Sequence, residues 1–265
     1  MDGIEIINQA NYSLYYISAF SEEIKTAIRN RLSSICHGVA DAATGRQLYS
    51  YRSTLKEFLK RYNDKTDAQK KGMIGELLLH IIITEVLNEF TIDSPFFNTE
   101  ERNVKKGFDV VLSKTGSTEL WLAEVKSGNI HANKDVSQTA VELINTAQND
   151  LNNRLNGDSV SLWLNAVNGA KAAIDEARTD RDAIISILQD CGDEAVQDNL
   201  HSKDFNVVLV GTLFNPLDDR IDETKISSKY SKVVNKHYFN KVYLVAIQKE
   251  DYQLVVDFLE REGNA

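Results

Sequence analysis

The hydrophobic positions in the first third of the chain predict short strands followed by three helices. Loose alternation over residues 4–17 predicts one or two strands, and apolar spacing of helical period predicts a helix over residues 21–36. A second helix is predicted over residues 44–62. A third helix, apolar on most of its sides, is predicted over residues 72–90, with Glu76 in its first turns.

The rest of the chain mixes the two periods, which is typical of an α/β or α+β protein. Apolar runs predict strands at residues 108–112, 120–125, 205–214 and 239–248, the first two joined by a turn at residues 114–117. Helical spacing predicts helices over residues 133–152, 160–189 and 251–262. The expected architecture is a mixed sheet of about four strands flanked by helices. Residues 1–65 are expected to form an N-terminal region with extra helices.

Composition narrows the class of protein without naming a function. The 265 residues carry a net charge of −9 and are 42% hydrophobic, which is ordinary for a globular chain. Cys36 and Cys191 form neither a disulfide framework nor a CxxC pair, and no secretory signal or membrane-spanning apolar run stands in the sequence. A cytoplasmic protein away from membranes is therefore expected. The absence of a Gly-rich phosphate loop argues against an ATPase.

Two acids and a lysine stand beside two of the apolar runs. Asp109 precedes Val110, and Glu124 comes fifteen residues after Asp109, two residues before Lys126. In a strand, Glu124 and Lys126 point to the same face, with Cα atoms about 7 Å apart. Pairing of the two strands would bring Asp109 to the same place.

This grouping predicts a site for metal-dependent phosphodiester hydrolysis. Two carboxylates repel each other unless a cation lies between them, and Mg²⁺ prefers oxygen ligands. Asp109 and Glu124 are the candidate metal ligands, and Lys126 could polarise the attacking water or balance charge on phosphate.

A structural role is the alternative for each of these charges. Glu124 and Lys126 can form an ion pair along one strand, and Glu76 can interact with the dipole at the start of its helix. The apolar neighbours of Glu124 favour a site, because a buried charge is costly without a partner or a metal ion.

Three sequence blocks together resemble a known family. Residues 75–80 (GELLLH), 106–109 (KGFD) and 120–126 (LWLAEVK) are similar to the HamA family, the nuclease-type subunits of Hachiman antiphage defence systems. The resemblance extends over roughly residues 67–260. A helix glutamate, an aspartate on one strand and Glu-x-Lys on the next also look like the PD-(D/E)xK nuclease fold. Phe108 stands where that nuclease signature has proline.

The resemblance implies a restriction-endonuclease-like core over residues 66–265 and a Mg²⁺-dependent deoxyribonuclease, with Mn²⁺ as the other candidate ion. By position, Asp109 and Glu124 match the family's metal ligands, Lys126 its catalytic lysine and Glu76 its helix acid. The resemblance also implies a superfamily 2-type helicase partner, HamB. HamB would hold the nuclease inactive until infection or DNA damage releases it to degrade DNA.

A lysine-rich segment is the candidate DNA-binding surface. It contains five lysines with no acid among them and three interleaved aromatic residues: Lys225, Lys229, Lys232, Lys236, Lys241, Tyr230, Tyr238 and Phe239. Lysines contact phosphates and aromatic rings can stack on bases. The alternative is a solvated loop, and the acidity of the rest of the chain favours a protein partner as the main DNA loader.

Two other functions fit the same sequence. The chain could keep the nuclease fold without activity and regulate or scaffold a helicase, which its acidic balance favours. It could also cleave RNA, because the metal site acts on phosphate rather than on the sugar.

Overall fold

A mixed sheet of seven strands runs through the part of the chain that the structure describes. The structure is a computed structural model, and it describes residues 1–97, 107–157 and 160–264. The strands are β1 (Ile4–Gln9), β2 (Tyr12–Ile17), β3 (Phe90–Ile92), β4 (Val110–Lys114), β5 (Leu120–Asn129), β6 (Asn206–Phe214) and β7 (Lys241–Lys249). Their spatial order is β1-β2-β7-β6-β5-β4-β3. The pairs β2–β7, β7–β6 and β6–β5 are parallel, and the pairs β1–β2, β5–β4 and β4–β3 are antiparallel.

Helices cover both faces of this sheet. They are α1 (Glu22–His37), α2 (Val39–Ala43), α3 (Tyr51–Asn63), α4 (Asp67–Glu85), α5 (Val136–Leu155), α6 (Val160–Ala173), α7 (Arg181–Val196), α8 (Glu223–Val234) and α9 (Gln253–Asn264). The buried side chains of α1, α3, α4 and α9 form one hydrophobic core with one face of the sheet. Those of α5, α6, α7 and α8 form a second core with the opposite face. The protein is therefore layered helix–sheet–helix, which confirms the predicted mixed α/β class.

The predicted number of about four strands is wrong, because the N-terminal residues join the sheet. β2 pairs in parallel with β7, from Tyr12 opposite Leu244 to Ile17 opposite Lys249, and β1 extends the edge. β3 is a three-residue strand that pairs with β4 and was not predicted. Local alternation predicted strands within residues 4–17 but not their place in the main sheet, because the partners of β2 lie more than 200 residues away. The boundary near residue 65 stays a prediction.

Several predicted elements are confirmed close to their expected ends, including α1, β6, β7 and α9. The predicted turn between β4 and β5 is also present. Gly116 has a φ of 75°, and Ser117 N donates to Lys114 O at 2.9 Å. Glycine suits this turn because it adopts positive φ without a Cβ clash.

The long helix begins earlier than the apolar residues from which it was predicted, within the polar segment 64–69, where a cap was expected. α4 begins at Asp67, where the Thr66 side chain and Gln69 cap each other's backbone N–H groups. Glu76 therefore lies in the middle of α4 rather than in its first turns, beyond the reach of the helix dipole at the N-terminus.

The lysine-rich segment contains a helix that the sequence analysis did not predict. α8 begins after Asp222, whose side chain accepts a hydrogen bond from Thr224 N, and it buries Ile226, Lys229 and Val233. These positions are three and four residues apart, as on one face of a helix. Among the described residues, no helix combines the length and apolar character that crossing a membrane requires.

Candidate active site

Strand β5 sends its charged residues to the face of the sheet that α5 covers. Ala123 and Val125 belong to the core beneath α4, whereas Leu122 belongs to the core beneath α5. Glu124 and Lys126 share the face of Leu122 because side chains alternate along a strand. Glu124 and Lys126 therefore lie on one face, as alternation predicts, and they form the ion pair of the structural alternative, with 2.9 Å between Lys126 Nζ and Glu124 Oε1.

Asp109 lies at the same place, on the bend immediately before β4 rather than within the strand as predicted. Its Oδ2 accepts a hydrogen bond from Val125 N at 2.9 Å, so the carboxylate is tied to the backbone between Glu124 and Lys126. Val110 is paired with Ala123, and continuing this antiparallel register sets Asp109 opposite Glu124. Lys106 of the same sequence block lies outside the described residues.

Glu124 is the most deeply buried acid of the group, with 1% of its surface exposed. Its Oε1 accepts a hydrogen bond from Lys126 Nζ, and its Oε2 contacts the guanidinium of Arg154 on α5. Lys126 is also shared, because its Nζ lies 2.8 Å from Asp150 Oδ2. The two cations offset the cost of burying the Glu124 carboxylate, which would be several kcal/mol without partners (~3–5 kcal/mol).

Arg154 connects this group to the chain segment before β4. Its Nη1 donates to the carbonyl oxygen of Gly107 at 3.0 Å. Burial lowers the pKa of the Arg154 guanidinium, and the charge of Asp109 acts in the opposite direction. Arg154 therefore contacts Glu124 and lies within the electrostatic field of Asp109.

Sequence reasoning missed both Asp150 and Arg154. A signal was available, because the two residues are four apart and therefore share one side of α5. That side lies next to the apolar stripe of Ala147 and Leu151, which packs on the sheet. A helix that follows a Glu-x-Lys strand and returns over it brings such charges back to the strand.

A glycine lets α5 approach the sheet closely enough for these contacts. A Cβ added to Gly211 on β6 would lie 3.0 Å from Ile144 Cγ1 and 3.1 Å from the Ala140 carbonyl oxygen. Gly211 pairs with Lys126 across the β5–β6 ladder. A side chain at Gly211 would push α5 outward from the strand that carries Glu124.

Glu76 lies on a helix that packs against the opposite face of the sheet. A Cβ added to its neighbour Gly75 would collide with Ser127 Oγ, and Ser127 alternates with Lys126 along β5. Glu76 is buried, and it lies close enough to α1 to act on Cys36. Burial raises the pKa of the Cys36 thiol well above its usual value, and the charge of Glu76 adds to that rise. A catalytic role for Glu76 stays a prediction.

The five predicted DNA-binding lysines fall into three environments. Lys225, Lys232 and Lys236 are exposed on or just after α8. Lys241 is exposed but forms an ion pair with Glu119, at 2.6 Å. Lys229 is 3% exposed and donates to Gln148 Oε1 at 2.9 Å and to Asn145 Oδ1 on α5. Its ammonium group thus joins α8 to α5 instead of facing solvent.

The donors at the α5 face fit a hard divalent cation in kind, since Asp109 and Glu124 offer carboxylate oxygens. In this conformation Asp109 Oδ2 is bonded to Val125 N, and both Glu124 oxygens face cationic side chains. A metal ion that binds Glu124 therefore competes with these cations for the carboxylate oxygens. Within the described ranges, no group of three or more His, Cys, Asp or Glu residues is arranged to hold a metal.

The fold and the charged cluster define the class: a mixed α/β protein with a buried carboxylate–lysine–arginine centre on one face of its sheet. A family model described as HamA matches residues 2–262, which is essentially the whole chain. The chain belongs to the HamA family. Membership supports its assignment as a subunit of a Hachiman defence system. Comparison with curated proteins gives no match.

Proposed function

We propose that the chain is a metal-dependent DNA nuclease of a Hachiman defence system, held inactive by a helicase partner and released during infection or DNA damage. The observation that carries the proposal is the convergence of Asp109, Glu124 and Lys126 at one point on the α5 face of the sheet. The order of a helix, an aspartate before one strand and Glu-x-Lys on the next supports a PD-(D/E)xK-like core.

Each residue has a distinct task in this proposal. Asp109 and Glu124 would hold the divalent cation, which supplies Lewis-acid stabilisation of charge on the phosphate. Lys126 is 28% exposed at its side chain and lies between Glu124 and Asp150, so its ammonium is oriented by two acids. From there it can donate a hydrogen bond to the attacking water or to a phosphate oxygen, and stabilise the developing charge.

The exposed lysines on and just after α8 support a contact with the DNA backbone. Lys225, Lys232 and Lys236 can neutralise phosphates, each contributing to a salt-dependent affinity. The net charge of −9 means that such a patch acts against the average charge of the chain. This balance supports a partner that brings DNA to the nuclease, and the helicase HamB is the partner that the family resemblance implies.

A second candidate is a catalytically silent subunit that regulates or scaffolds the helicase. The specific observation in its favour is Arg154, whose guanidinium contacts Glu124 and lies in the field of Asp109. A resident cation could stabilise the fold at this point without any metal chemistry. The two candidates differ in whether Glu124 is needed for cleavage or only for the integrity of the complex.

Digestion of plasmid and linear DNA with Mg²⁺ or Mn²⁺ tests the proposal. Glu124→Gln and Lys126→Met should each lower cleavage at least about a hundredfold, the usual effect of removing a group that stabilises transition-state charge. Glu119→Gln is the matched control, because Glu119 lies beside the start of the same strand and pairs with Lys241 outside the cluster. It should keep cleavage close to that of the wild type.

The same assay separates the alternatives. Cleavage that appears only with the helicase, ATP and a DNA end would support a partner that loads or releases the nuclease. Glu124→Gln cleaving as fast as the wild type would contradict the proposed centre. Cleavage of matched RNA but not DNA would change the substrate class, and no cleavage with the complete complex would favour the silent subunit.

A further inference from the structure

Arg154 is the cation of the charged cluster that comes from the covering helix α5. Its guanidinium contacts Glu124 and donates to the Gly107 carbonyl at 3.0 Å. Yet its side chain is 27% exposed, comparable with the 28% of Lys126. Arg154 is therefore both a partner of the buried acid and a group that can reach the surface where a substrate would lie.

The charges of the cluster show what a divalent ion would change. Asp109, Glu124 and Asp150 are three acids, and Lys126 and Arg154 are two bases, so the cluster carries a net charge of −1. A phosphate approaching this cluster is repelled. A divalent cation added to it reverses the net charge to +1 and makes the same place attractive to phosphate.

The Arg154 guanidinium can bind either the Glu124 carboxylate or a phosphate. Its planar fork binds a carboxylate or a phosphate through two parallel hydrogen bonds, which a lysine ammonium cannot do. If Glu124 were a metal ligand through the oxygen that Arg154 contacts, the guanidinium would lose one acid and would keep its hydrogen bond to the Gly107 carbonyl as an anchor. A phosphate oxygen could then take the place of the carboxylate opposite the guanidinium.

We propose that Arg154 is an exchange residue of the nuclease centre: it holds Glu124 in the metal-free protein and passes to the DNA phosphate when a divalent ion binds. The inference rests on the proposed function and deepens it by adding a residue that couples metal binding to substrate binding. It makes Arg154 a competitor of the metal and a ligand of the substrate.

Calorimetric titration with Mn²⁺ tests the competition without measuring cleavage. Arg154→Gln should bind Mn²⁺ about tenfold more tightly than the wild type, because the ion no longer displaces a guanidinium. Arg154→Lys keeps the charge without the fork and should tighten binding by a smaller factor. Arg181→Gln is the control, since Arg181 bonds to the Ile174 and Lys171 carbonyls away from the cluster. It should leave the Mn²⁺ affinity unchanged.

A second readout follows the substrate contact. Anisotropy of a labelled DNA duplex, with Ca²⁺ as the ion, should show a gain in affinity on adding the ion to the wild type and a smaller gain for Arg154→Gln. A purely structural role for Arg154 predicts weaker binding of both ion and DNA, because the cluster would lose its shape.

The outcomes separate this inference from the proposed function. If Arg154→Gln and Arg154→Lys bind Mn²⁺ no more tightly than the wild type, while Glu124→Gln abolishes binding, the exchange role is overturned and the metal centre stands. If neither the wild type nor the Arg154 variants bind Mn²⁺ at Glu124, the metal centre falls and the exchange role falls with it.

Discussion

The side chains of Ala123 and Val125 lie on one face of the sheet and those of Glu124 and Lys126 on the other, and the two faces differ in the residues that pack against β5. On the α4 face, β5 and β6 contribute apolar side chains to the core, among them Ala123, Val125, Val208 and Val210. On the α5 face, the covering helix supplies Asp150 and Arg154 as counter-charges.

The difference shows which face of β5 carries charge. Both helices approach the sheet closely over a glycine, Gly75 on α4 and Gly211 on β6. Close packing alone therefore does not make a site. The Glu124 carboxylate is tolerated on the α5 face because α5 supplies Arg154 beside its apolar stripe, and a function that needs Glu124 must use that face. The buried acid of the α4 side, Glu76, belongs to the helix and not to the sheet.

The largest expected effect comes from placing a charge on the wrong face. Ala123→Asp should lose about 3–5 kcal/mol of the free energy of unfolding, or fail to fold, because Ala123 is fully buried and packs in an apolar core. Urea unfolding followed by circular dichroism measures the loss. Glu124→Gln at the adjacent position should lower the free energy of unfolding much less. Equal losses in the two variants would mean that the two faces of β5 do not differ in their tolerance of charge.

The next effect comes from removing the counter-charge on the α5 face. Arg154→Met should lower the free energy of unfolding by about 2–3 kcal/mol, since Glu124 keeps Lys126 as its remaining cation. The double variant Arg154→Met/Glu124→Gln should recover most of that loss. Additive losses in this double-mutant cycle would mean that the two side chains do not interact.

Lys229 tests a second polar contact on the same face and has a pH signature. Lys229→Met should lose about 1–2 kcal/mol, because it leaves the buried Gln148 without its donor. Burial, followed by Lys236 and Lys232, lowers the pKa of Lys229 from 10.5 to about 8. The unfolded chain therefore binds the extra proton between these pH values, and stability rises there as pH increases.

The measurable quantity is the difference in free energy of unfolding between the wild type and Lys229→Met at several pH values. It should be constant below about pH 8 and grow between pH 8 and pH 10.5. Subtracting the variant removes the titration of the tyrosines and other lysines. A difference that stays flat across this range would show that Lys229 is not desolvated in solution.

A variant of Glu76 tests whether an acid on the α4 side contributes to cleavage. If the reaction takes place on the α5 face, Glu76→Gln should lower cleavage by no more than about tenfold, against at least about a hundredfold for Glu124→Gln. Comparing kcat/KM and melting temperature for both variants separates catalysis from stability. Equal losses of cleavage, with both proteins folded, would make the helix acid a full member of the centre.

The smallest effect is expected at the surface of α8. Lys232→Gln/Lys236→Gln should weaken DNA binding about threefold and lower its dependence on salt, because two exposed phosphate contacts are removed. Lys241→Gln is the comparison variant, since that lysine is already paired with Glu119. An unchanged salt dependence in the double variant would place the DNA elsewhere.

The sequence was sufficient for the core of the candidate site because strand period is local. Alternation alone sets Glu124 and Lys126 on one face, and a short turn brings Asp109 back to them. Arg154 and Asp150 could not be assigned to the site in this way, because their role depends on how α5 returns over β5. The burial of Lys229 could not be predicted for a related reason: a lysine among lysines looks exposed until the packing of α8 on α5 is known.

The same distinction holds for the fold. Strands β6 and β7 were predictable because each is a run of consecutive apolar residues, which indicates a buried strand. β1 and β2 were recognised as strands, but their place in the main sheet depends on pairing with residues 244–249. Local sequence carries the first kind of information and not the second.

Locating a divalent ion directly would test the central claim that the nuclease centre lies on the α5 face. Crystals of the chain soaked in Mn²⁺ give an anomalous signal that marks the ion without reference to activity. The account predicts a peak between Asp109 and Glu124, with the Arg154 guanidinium moved from its contact with Glu124. A peak at Glu76 beneath α4, or none at a Mn²⁺ concentration that supports cleavage, would contradict it.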